Sequence, residues 1–158
     1  MKIRIPEHFI RYCRHTMFVL VVIVMLVITS INPVYAEHNI VLIAAKGSGI
    51  ESISNRDIRR IFLGLKSADS DLVKKPVINL YNKEVYEEFL KNVMHMTEGS
   101  YKRKIVKRIF RNGTEEINEI MLLDELNMHL INNVGDISFV DVVAVESMHD
   151  IEVVKVLW

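Results

Sequence analysis

This sequence predicts an α/β fold: a single compact domain with a mixed sheet flanked by helices. Three observations predict it. Short β-branched runs recur at 39–45, 77–81, 137–140 and 151–157. Between them lie segments with apolar residues at helical spacing, two of them opened by capping residues, Ser54 and Asn82. No internal repeat, low-complexity tract or second linker divides the region from Glu37 to Trp158. Strands interleaved with helices in this way pack as layers.

Taken in order, 39–45 (NIVLIAA) is a buried strand ended by the turn Lys46-Gly47-Ser48-Gly49. Ser54, with Asp57 three residues on, starts a helix whose stripe is Ile58, Ile61 and Phe62; Gly64 ends it. The segment 65–75 mixes Ser, Asp and Lys without period and is expected to be an exposed loop. Pro76 opens a second strand, 77–81, since a strand's first position tolerates a missing N–H. Asn82 caps the next helix, which buries Val85, Tyr86, Phe89, Leu90 and Val93 and is broken by Thr97-Glu98-Gly99-Ser100. A helix over 101–111 stops at Asn112-Gly113, and an amphipathic helix is expected over 116–132, ending before Gly135. The segments 137–140 and 151–157 are strands, and 142–148 fits either state.

The 158 residues are 50% hydrophobic, with 20 Lys+Arg against 20 Asp+Glu, which argues for a folded chain without the basic excess of a nucleic-acid binder. The first 36 residues carry Lys2, Arg4, Arg11 and Arg14, then the apolar run 17–31, then Asn32-Pro33 and a small residue at Ala36. That three-part pattern predicts a secretory signal peptide cleaved after Ala36, and hence a periplasmic protein. The alternative is an inner-membrane anchor formed by 17–31, although 15 residues are short for a span. Residues 37–158 hold 16 Lys+Arg and 19 Asp+Glu, a net charge of −3. The lone cysteine, Cys13, falls in the leader, so neither a disulfide nor a thiolate metal site is available to the domain.

Few residues point to chemistry. Ser48 lies in a Gly-rich turn after a strand, where backbone N–H groups can cradle an anion, but the spacing of a phosphate loop is missing. Asn82 and Lys83 stand where a strand ends and a helix begins, a place suited to an anion, with Lys83 adding a cation. Ser48, Asn82 and Lys83 are therefore the candidate ligand-binding residues. His38, His95, His129 and His149 are scattered without i, i+4 pairing, so no metal site and no cofactor are expected. Asp124-Glu125 are adjacent rather than facing, and no catalytic constellation emerges; the chain is not expected to be an enzyme. Lys102, Arg103, Lys104, Lys107, Arg108 and Arg111 form the densest basic run, either a solvated helix face or a surface for an acidic partner or an anionic membrane.

Ser54-x-x-x-Ile58-Arg59-Arg60-Ile61-Phe62-Leu63-Gly64 resembles the segment ending in I-F-L-G-K of phosphate ABC-transporter substrate-binding proteins and their short stand-alone periplasmic relatives. The strand Pro76-Val77-Ile78, the helix carrying Phe89 and the stretch Phe110-x-x-Gly113 follow in the order found there. Asn133-Val134-Gly135-Asp136-Ile137-Ser138-Phe139-Val140 is similar to that family's N-P-G-A-I-G-Y-V, and 153–157 to its V-K-V-L ending. The resemblance implies one lobe of a type II periplasmic binding protein. Phosphate-binding members carry Arg and Ser-Gly-Thr at the helix start; Lys83-Glu84-Val85 stands here, and the Trp after I-F-L-G is absent. Two functions follow as expectations. One is a periplasmic accessory or sensory module with a degenerate ligand site, meeting a membrane transporter or sensor protein. The other is a solute-binding protein for phosphate or another small anion.

Overall fold

The computed structural model describes residues 39–65, 72–113 and 115–158, all within one compact unit. The readings placed on 1–36, and the centre of the loop expected over 65–75, lie outside them. The first half contains β1 (Ile40–Ala45), α1 (Asn55–Phe62), β2 (Val77–Asn79) and α2 (Lys83–Glu88), which runs on as a π-helical turn, Phe89–Val93. The second half contains α3 (Glu98–Asn112), β3 (Asn118–Ile120), α4 (Leu123–Asn132), β4 (Ile137–Asp141), α5 (Val142–Val145) and β5 (Ile151–Val156).

All six residues of β1 are buried, so this strand needs the unbroken apolar run it has. It lies between β4 and β5, antiparallel to both. β2 and β3 form a separate parallel pair, so the single mixed sheet expected from the sequence is instead one antiparallel three-stranded sheet and one parallel pair. The two sheets meet at a single parallel bridge, Pro76 to Ile137, after which side chains replace the ladder. Ser138 Oγ donates to the Val77 carbonyl at 2.9 Å and Asn79 Nδ2 to the Phe139 carbonyl at 3.0 Å. Both side chains are fully buried, and these bonds satisfy polar groups that would otherwise be costly there.

Alternation along β1 assigns its residues to two apolar layers. Ile40, Leu42 and Ala44 join Ile58, Phe62, Val85, Phe89, Tyr101 and Phe139 on one face. Val41 and Ile43 join Val77, Ile120, Leu126, Leu130, Val140 and Ile151 on the other. The architecture is mixed α/β, with α1, α2 and α3 over one face and α4 over the other. At the centre of the first layer Phe89 stacks on Phe139, centroids 3.8 Å apart, while Phe62 meets Phe89 edge-on at 4.9 Å.

Local chemistry explains the element ends. Ser54 Oγ accepts the Asp57 N–H, and α1 closes with Leu65 N–H on the Arg60 carbonyl and Gly64 N–H on that of Ile61. That closure needs a left-handed residue, and Gly64 has φ +63. Gly135, at φ +102, has a second reason to be glycine: a Cβ there would lie 2.9 Å from the Leu72 carbonyl oxygen.

Three boundaries differ from the sequence expectation. Thr97 to Ser100 does not break a helix but begins one: Thr97 Oγ1 accepts the Ser100 N–H, and Gly99 sits in the first turn of α3. The break falls at His95, at φ +53, just after the π-helical turn. The helix expected over 116–132 is confined to α4, because 118–120 pairs with the open edge of β2 instead. Strand β2 is also shorter than 77–81, since the Asn79 side chain accepts the Tyr81 N–H and turns the chain.

Candidate functional site

The mouth after β2 is built by Asn82. Its backbone is extended, and its side-chain oxygen accepts the N–H of Glu84 at 2.9 Å and of Val85 at 3.4 Å. Donors that would otherwise face an anion are thereby taken by the chain itself. Lys83 runs along the helix to Glu87, Nζ to Oε1 3.5 Å, both side chains well exposed. Such a pair is weak.

Ser48 lies elsewhere. β1 is antiparallel to β4, and β2 enters alongside β4 at Pro76, so the residues after β1 and those after β2 leave their two sheets at opposite ends. A strand's length, on the order of 15 Å, separates those ends. The structure therefore joins Asn82 to Lys83 but does not bring Ser48 to them. Ser48 Oγ donates to Glu152 Oε1 at 2.9 Å and accepts the Ile50 N–H at 3.2 Å, pinning the turn to β5.

An open groove of about 630 Å³ runs between the π-helical turn and the start of α3. Leu90 and Met96 give it apolar walls, with Glu87, Lys91, His95 and Glu98 at its edges. Both carboxylates are already engaged, Glu87 with Lys83 and Glu98 with Lys102 at 2.7 Å. The ammonium of Lys102 holds the Glu98 carboxyl below the usual carboxylate range. Among the described residues no three His, Cys, Asp or Glu side chains are placed to hold a metal ion.

Sequence reasoning missed one polar pair. His129 Nε2 lies 3.0 Å from Asp136 Oδ2, with Asp136 almost fully buried. An imidazole oriented by a carboxylate can act as a general base on a hydroxyl, a thiol or a water. Among the described residues no hydroxyl or thiol is hydrogen-bonded to it. The pair ties the end of α4 to the loop before β4, helped by Asn133 Nδ2 on the His129 carbonyl.

The basic run forms the outer part of α3. Tyr101, Ile105 and Arg108 face α1: the Tyr101 hydroxyl donates to the Phe62 carbonyl at 2.7 Å, and Arg108 Nη1 to that of Leu63. Arg103, Val106, Lys107 and Phe110, at i, i+3, i+4 and i+7, share the opposite side. Phe110 is 86% exposed and Val106 50%. Lys104, Lys107 and Arg111 are exposed and have no acidic partner among the described residues.

Comparison with family models, with curated proteins and with solved structures finds no match for this chain.

Proposed function

We propose that this is an exported, non-enzymatic interaction module of the periplasm. On this reading it is one lobe of the phosphate-type substrate-binding fold, with a degenerate ligand site, acting as an accessory to a membrane transporter or sensor. The observation that carries the reading is the occupation of the Glu84 and Val85 N–H groups by Asn82. The distance of Ser48 supports it. A helix start whose donors are internally satisfied offers a phosphate little that water does not.

Thermal unfolding of the purified chain with and without millimolar phosphate, sulfate and small carboxylates tests this. A ligand at 100 times its dissociation constant adds about 2.7 kcal/mol. In a domain of this size that moves the midpoint by about 10 °C. The expected result is no shift with any of these anions. A phosphate-dependent rise that disappears in Lys83→Ala would instead establish the solute-binding function.

A further inference from the structure

We infer that the outer face of α3 is a docking surface for an anionic lipid bilayer. The inference rests on the interaction-module reading and names its partner chemistry. From Gly99 to Thr114 the sequence has no Asp or Glu and six Lys or Arg. The acids at either end are already engaged: Glu98 with Lys102, and Glu115 with Lys75. Lys104, Lys107 and Arg111 have no acidic partner among the described residues. The face therefore stays positive in a domain whose sequence sums to −3 over 37–158.

Its apolar content is small and borders the cations. Phe110, 86% exposed, forms a ridge with Val106, and Arg103, Lys107, Arg111 and Lys104 follow in turn round the helix on one side of it. A helix with cations bordering a short apolar ridge lies flat at a membrane interface, ring in the acyl boundary and charges among anionic headgroups. An acidic protein would need a socket for Phe110 as well as matched carboxylates; a bilayer supplies both without a fitted shape. The hydrogen bonds of Tyr101 and Arg108 to the end of α1 fix the helix on the domain, so the ridge is presented by a rigid element. The basic leader and the apolar run at 17–31, as signal or as anchor, would bring the chain to a membrane in either case.

The test places a reporter at the ridge of the full chain: Phe110→Trp in a Trp158→Phe background, since Trp158 is the one native tryptophan. Vesicles of phosphatidylglycerol and phosphatidylcholine with brominated acyl chains serve as probe. The expected result is a blue shift and quenching of the reporter with the mixed vesicles. Both effects should be lost with phosphatidylcholine alone and in about 0.5 M salt, where screening is strong. Lys104→Gln, Lys107→Gln and Arg111→Gln together should weaken the response on the order of 100-fold, at about five-fold per cation. An unchanged, solvent-exposed reporter in mixed vesicles, with native circular dichroism, overturns the inference even if the leader holds the chain on the vesicle. It would pass the face to an acidic protein partner. The two readings fail separately: a phosphate-induced thermal shift sinks the closed ligand mouth, whereas a silent reporter beside a flat anion response sinks only the lipid surface.

Discussion

Tyr86 is 2% exposed, and its hydroxyl has no hydrogen-bond partner among the described residues. Burial pushes the phenol up to about 12, and the carboxylates of Glu98 and Glu119 add to the shift. An unpaired buried hydroxyl costs about 1–3 kcal/mol, so Tyr86→Phe should stabilise the fold by about 1 kcal/mol at neutral pH. The folded state also holds this proton more tightly than the unfolded one. That contribution is present below the ordinary tyrosine pKa of about 10 and is lost as pH rises towards the folded value. Urea unfolding of both proteins should therefore show a gain for Tyr86→Phe that grows above about pH 10; a loss of stability would mean that the hydroxyl has a partner. Single residues were legible in the sequence where their partners are local. Ser54 and Asn82 bond N–H groups two or three residues away, and such bonds follow from spacing. Tyr86 is legible as buried but not as unpaired, because its surroundings are assembled from separate elements. His129 and Asp136 escaped for the same reason: their contact depends on how α4 ends against the loop before β4.

Elements divide similarly. The strand Ile40–Ala45 and the helix Asn55–Phe62 were readable because their apolar pattern and caps agree. Helix Leu123–Asn132 starts at Leu122 without any side-chain cap, so nothing marked where it begins, and Ile117 and Ile120 continued its helical spacing upstream. The open edge of Val77–Asn79 decided that segment, a case of tertiary pairing overriding local pattern. Thr97 to Ser100 contains residue types that both stop and start helices, and only the bond from Ser100 N–H to Thr97 settles which. The loop before Ile137–Asp141 carries its own prediction. Gly135→Ala forces a side chain into a left-handed backbone and against the Leu72 carbonyl, which cannot swing away as a flexible side chain could. Denaturant titration should show a loss of about 2 kcal/mol or more. A loss within experimental error would mean that this loop re-forms without its tight approach.

At the scale of the whole molecule, the segments 54–64, 76–89 and 133–140 share a packing role. Phe62, Phe89 and Phe139 come from three separate blocks and form one aromatic cluster in the first layer. Each such ring contributes about 1.5–3 kcal/mol by burial, and its pairings add about 0.5–1.5 kcal/mol. Residues of that kind specify how layers meet, not what a mouth binds, which is why fold class was legible and ligand was not. The ligand question turns on Asn82 and Lys83 after β2, with Ser48 after β1 at the opposite end of the domain's strands. A phosphate titration followed through every backbone amide of the protein by heteronuclear NMR tests the closed mouth most directly. The Glu84 and Val85 amides are expected to stay in place, with no saturable cluster at either end. Saturable shifts centred on those two amides would contradict it, by showing that a phosphate displaces Asn82 from its own helix.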